Sequence, residues 1–161
     1  MGRAAGVIQL GDLIAPDGIV FGLSATSKAG VLDVLAVRAA ALAGRDANEV
    51  TRVIRDREAL GSTGFGAGTA IPHGRLPGLN GIVAVAARLV TPVAYAALDG
   101  LPVDLVILML APSGAGADHL KALARISRAL RDAAFCAMLR GAGSPDVFYD
   151  VLAGARRSEA A

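Results

Sequence analysis

The chain has 161 residues, 54% of them hydrophobic and 19% charged, and its 16 basic against 14 acidic side chains leave a net charge of +2. That length suits a single domain with a sizeable core, and the composition excludes a disordered chain. With charge nearly balanced, no tryptophan and 4% aromatic residues, there is neither a basic stripe nor a stacking platform, so no nucleic-acid partner is expected.

The opening stretch MGRAAGVIQLGDLI breaks its apolar run at Gln9, Gly11 and Asp12, a poor pattern for a secretory signal. No segment reaches the roughly 18 apolar residues of a membrane span. A cytoplasmic chain without membrane insertion is therefore expected. Ser27 caps a helix through KAGVLDVLAVRAAALAG, with Gly44 as its stop. Asp46 and Glu49 have the spacing of a capping box for a second helix, DANEVTRVIRDREALG, ending at Gly61. Beyond a glycine-rich segment, GIVAVAARLV predicts a short strand closed by Thr91 and Pro92. PVDLVILMLAP, apolar on both faces, predicts a central strand covered by helices. From Asp118 the pattern is helical again in DHLKALARISRALRD, in AAFCAMLRG, and in SPDVFYDVLAG, where Ser144 precedes Pro145 at the first helical position. The sequence reads as one α/β or α+β domain over residues 1–161, with its core at about 10–154 and a frayed tail from 155.

The segment GSTGFGAGTAIPHGR places Gly61, Gly64, Gly66 and Gly68 just ahead of Pro72 and His73. A P-loop needs a lysine after its last glycine, yet the chain's lysines are Lys28 and Lys121. A dinucleotide fingerprint fails because the cluster follows a helix where that motif requires a strand. His73, His119 and Cys136 lack the tight spacing of a metal site, so no metal or cofactor is expected, and Cys136 reads as a buried packing thiol. Two readings of His73 remain. It is a histidine in an ordinary glycine loop, or it is a nucleophile that carries a phosphoryl group, with backbone N–H groups of the glycine-rich turn as donors and Pro72 orienting the ring.

RDREALGSTGFGAGTAIPHGR together with LDGLPVDLVILMLAPSGAGADHLKALARISRALRD resembles the Enzyme IIA component of the sugar phosphotransferase system, in its fructose/mannitol superfamily, and within it the nitrogen-regulatory branch. The likeness runs from about residue 27 to about 152. It implies a mixed β-sheet flanked by helices and a histidine that accepts phosphate from the histidine-containing phosphocarrier protein. On that resemblance His73 is the phosphoryl acceptor, His119 the second active-site histidine and Arg57 the active-site arginine. Ser62, Thr63, Gly64, Gly66 and Gly68 are candidate binding positions, and Glu58 lies within the shared motif. Gly66, Ala67 and Gly68 are expected to keep a flat docking surface around His73. Two departures stand out: Ala67 where many members carry Asn or an acidic residue, and Thr69 where Ile or Val is usual. The resemblance implies a phosphoryl carrier, not a turnover enzyme on a small molecule. Its state would control partners such as kinases or potassium transporters; the alternative is a transport component that passes phosphate to an Enzyme IIB.

Overall fold

Leu105–Pro112 is an unbroken apolar run, and in the computed structural model, which describes residues 8–154, it lies within the strand Val103–Pro112 at the middle of the sheet. The strands are β1 (Ile19–Leu23), β2 (Gly64–Gly66), β3 (Thr69–Ala70), β4 (His73–Leu76), β5 (Val83–Val93) and β6 (Val103–Pro112). The helices are α1 (Lys28–Ala43), α2 (Ala47–Leu60), α3 (Ala117–Arg131), α4 (Ala133–Gly141) and α5 (Pro145–Ala153). The sheet is mixed. Its order is β1-β5-β6-β3-β2, and β4 also pairs with β6, further along the side that carries β3. β5 runs antiparallel to β6, while β3 and β4 run parallel to it.

Alternation along β6 explains the layers. Val106, Leu108 and Leu110 join one core with Leu35, Ala39 and Ile54 of α1 and α2. Leu105, Ile107 and Met109 join the other with Ile126, Leu139 and Phe148 of α3, α4 and α5. A strand buried on both faces by helices has no reason to alternate polar and apolar residues, so it reads as a continuous run.

The local signals mostly act as their chemistry dictates. Ser27 Oγ accepts from Gly30 N–H at 3.1 Å, and Gly44 ends α1 in the left-handed region at φ 66°. Ser144 Oγ accepts from Val147 N–H at 3.2 Å ahead of Pro145. Cys136 is buried, as its apolar surroundings require. Two expectations are corrected. No capping box forms: Asp46 is the first flanking residue of α2 but its side chain makes no cap bond, and Glu49 is drawn instead to Arg45 at 2.8 Å. Nor does Thr91-Pro92 close the strand. β5 continues to Val93 through an irregularity between Arg88 and Val93, where ladder pairing lapses and a proline without an N–H is tolerated. The tail expected from 155 lies outside the described residues.

Ala67 sits in the left-handed region at φ 55°, a conformation that costs a side chain with Cβ about 1–2 kcal/mol and that asparagine adopts more readily. The residue common in the resembling family is thus the one this backbone prefers. Ala67→Asn is expected to stabilise the fold by about 0.5–1 kcal/mol, read as a raised midpoint in thermal or urea unfolding. The other departure is benign: Thr69 is fully buried, and its hydroxyl donates to Gly66 O at 2.8 Å.

Candidate active site

Three elements converge on His73. It opens β4 and pairs with Met109 of β6. Gly74, next in the strand, faces α2 so closely that a Cβ there would stand 2.5 Å from Val53 Cγ1. Only glycine fits. Alternation then turns His73 and Arg75 to the opposite face, toward α3, which carries His119 in its first turn.

The His73 ring is fixed by one bond. Its Nδ1 lies 2.8 Å from Ile71 O. A carbonyl oxygen only accepts, so Nδ1 carries the proton and donates, and Nε2 keeps a free lone pair. Partial burial pulls the His73 pKa below the ordinary 6.5; the bond to Ile71 and the charge of Glu58 oppose this, while Arg57 and Arg75 reinforce it. At neutral pH the ring is uncharged and nucleophilic.

His119 is 5% exposed, and its ring centroid is 6.0 Å from that of His73 with 54° between the planes. Its buried Nδ1 has no hydrogen-bond partner. Leaving a donor unpaired there costs about 1–3 kcal/mol, so the tautomer with its proton on Nε2 is favoured. Burial lowers this pKa as well, helped by Arg75 and His73. Both rings should therefore titrate below 6.5 in a ¹H–¹⁵N NMR titration; a His73 midpoint at or above that value would contradict the geometry.

Positive groups lie close to the pair, alongside the acidic Glu58 and Asp118. The amino end of α3, flanked by Gly116, has no side-chain cap; Asp118 N–H donates to Ala115 O at 3.1 Å, and the dipole with the remaining first-turn N–H groups favours an anion. Arg57 is in the last turn of α2, where its Nη1 donates to Gly61 O at 2.9 Å. Arg75 bears electrostatically on both histidines. Sequence reasoning missed Arg75, whose one available signal is its position two residues beyond His73.

The remaining candidates divide. Ser62 Oγ donates to Tyr95 O at 3.1 Å and accepts from Gly64 N–H at 3.1 Å, while Thr63 bonds Glu58 through both N–H and hydroxyl at 2.7 Å. These side chains shape the loop before His73. Gly64 packs against Tyr95 and Ala97, where a Cβ would meet them at 2.9 and 3.0 Å. Gly66 and Gly68 belong to a turn about Ala67, whose N–H donates to Asp99 at 2.9 Å and whose carbonyl accepts from Arg140 at 2.8 Å. Thr69 pairs with Leu105 and His73 with Met109, so this turn lies more than ~13 Å down the sheet from His73. The flat surface expected there does not surround the histidine.

The model of the family described as "Phosphoenolpyruvate-dependent sugar phosphotransferase system, EIIA 2" matches residues 12–155. The chain belongs to that family. It is 50% identical over 142 residues to a nitrogen regulatory protein of Bradyrhizobium diazoefficiens, covering 88% of this chain and 93% of the relative. A nitrogen regulatory protein of Pseudomonas aeruginosa is 36% identical over 147 residues, 91% of this chain and 96% of the relative. Among solved structures, the nitrogen regulatory protein IIA-Ntr of Neisseria meningitidis superposes with a TM-score of 0.84 at 28% identity, over 89% of this chain and 98% of that one. The mixed sheet between two helical layers is therefore the fold of a nitrogen-type Enzyme IIA.

Proposed function

We propose that this Enzyme IIA is a phosphoryl-accepting regulator: His73 takes a phosphoryl group at Nε2 from a histidine-containing phosphocarrier protein, and the state of that group decides which proteins bind. The observation that carries the reading is the His73 ring, pinned through Nδ1 to Ile71 O and 6.0 Å from a second, buried histidine. In the transfer, the Nε2 lone pair attacks phosphorus, the P–N bond to the donor histidine breaks, and its electron pair returns to the donor ring. No base is needed, because the acceptor nitrogen is already unprotonated. The task left to the protein is alignment and charge. The α3 amino end, Arg57, Arg75 and the single N–H of neutral His119 supply positive potential and donors for the oxygens as charge spreads over them.

Docking falls to the surface beside these groups. Leu60 and Leu120, 86% and 62% exposed, adjoin the turns that carry Arg57 and His119. A small apolar contact with charges nearby suits a carrier that must leave after each transfer. Phosphorylation then adds about −1.5 to −2 charges beside those leucines, enough to repel one partner and recruit another without a large rearrangement. We place the chain in the cytoplasm, where the phosphocarrier would meet it, with regulated kinases or potassium transporters as targets.

The test compares partners retained by the phosphorylated chain, the unphosphorylated chain and His73→Ala. A regulator retains different proteins by state. Rapid passage of phosphate to a sugar-specific Enzyme IIB, with one sugar's uptake lost on deletion, would establish the transport alternative instead.

A further inference from the structure

Glu58 takes no direct part in that scheme, yet it is only 8% exposed. A carboxylate is buried at a cost of several kcal/mol unless it is paired and hydrogen-bonded. Here every oxygen is engaged. Lys28 Nζ, at the start of α1, stands 2.9 Å from Oε2; Thr63 N–H donates to Oε2 at 2.7 Å and the Thr63 hydroxyl donates to Oε1 at 2.7 Å. Because that hydroxyl proton is committed, the Tyr95 hydroxyl 3.1 Å away is the donor to Thr63 Oγ1. Burial raises the Tyr95 pKa, which keeps it protonated for that role. The Lys28 ammonium also lies over the Tyr95 ring, 4.5 Å from its centroid.

The bonds continue past Thr63. Ile71 N–H donates to Thr63 O at 3.2 Å, and Ile71 O is the acceptor that holds His73 Nδ1 at 2.8 Å. An unbroken course of hydrogen bonds thus runs from the carboxylate through two backbone units to the imidazole. Met109 N–H also donates to Pro72 O at 3.0 Å, which ties the backbone just ahead of His73 to β6, while the Glu58 network holds the Thr63 end of the segment.

We infer that Glu58, Lys28 and Thr63 are positioning residues for His73: they fix the Thr63 and Ile71 backbone so that Ile71 O accepts from Nδ1–H, which holds the proton on Nδ1 and leaves Nε2 as the acceptor nitrogen. The purpose of this arrangement rests on the phosphoryl-transfer reading, whereas the tautomer of the ring can be measured without any transfer. Groups that only tethered a loop would leave the tautomer alone. The buried network also explains why a charged residue is placed next to Arg57 on the core side of α2.

The experiment records ¹⁵N ring shifts of His73 at pH 7.5 in the full chain for the wild type, Glu58→Gln, Thr63→Val and Thr63→Ser, with backbone amide spectra to verify folding. The wild type should show the Nδ1–H tautomer. Glu58→Gln and Thr63→Val should show a mixture of tautomers and transfer slowed about tenfold, while Thr63→Ser, which keeps the hydroxyl, should match the wild type in both. An unchanged His73 tautomer in folded Thr63→Val or folded Glu58→Gln would overturn the inference. A wild-type ring in the Nδ1–H tautomer that takes no phosphoryl group would sink the functional reading and leave the positioning intact.

Discussion

His73→Ala is expected to abolish phosphoryl uptake while the chain stays folded. In His73 the bond from Nδ1–H to Ile71 O leaves the Nε2 lone pair free as the acceptor, whereas the unprotonated Nδ1 of His119 is buried and is not placed to substitute for it. The loss should exceed about 10³-fold, since a nucleophile is removed and not merely weakened. The fold should change little, because the half-buried ring makes one hydrogen bond at the first residue of β4, and such substitutions cost about 1 kcal/mol or less. Intact mass after incubation with phosphocarrier and its phosphate source reads the outcome. The wild type gains one phosphoryl group and the variant none; a labelled variant would remove His73 from its assigned role.

His119→Ala is the second large effect, and it should differ in kind. The acceptor remains, so labelling still reaches one phosphoryl group per chain, but about 10²-fold more slowly, the scale of losing one transition-state donor. Stability should move by no more than about 1 kcal/mol, because removing an unpaired buried nitrogen offsets much of the cost of the space it leaves. His119→Gln, which keeps an N–H on a side chain of similar length, should recover part of the rate. Quench-flow transfer rates at fixed donor concentration distinguish these results, and a wild-type rate in His119→Ala would contradict the proposed donor role.

The helices were legible because their signals are local. Ser27 and Gly44 bracket α1, Ser144 and Pro145 open α5, and none of these depends on distant chain. β6 was legible because burial on both faces leaves the run from Leu105 to Pro112 without a polar break. β5 was legible too, as the β-branched run GIVAVAARLV, although its end was not; β1, β3 and β4 depend on partners far away in sequence. β1 has five residues with Gly22 among them, and β2, β3 and β4 are two to four residues long within a stretch that glycine content marks as loop. Strand character in β3 and β4 comes from pairing along β6, and in β2 from pairing with β3, a property of the folded sheet. The same reason hid part of the site. Arg75 shares a face with His73 only once β4 exists as a strand, and Lys28 meets Glu58 only when α1 packs on α2. His73, His119 and Arg57 were legible through the resemblance of whole segments, since a lone histidine in a glycine-rich stretch leaves two readings open. The capping box failed for a different reason: Arg45, one residue before Asp46, offers Glu49 a full positive charge in place of a backbone N–H.

The most direct measurement of the central claim is ³¹P and ¹⁵N NMR of the chain after phosphorylation by the phosphocarrier. The account predicts one phosphoramidate, stable in base and labile in acid, with its phosphorus coupled to Nε2 of His73 and the proton retained on Nδ1, still donated to Ile71 O. A phosphoryl group on Nδ1 of His73, on His119 or on no histidine would contradict it.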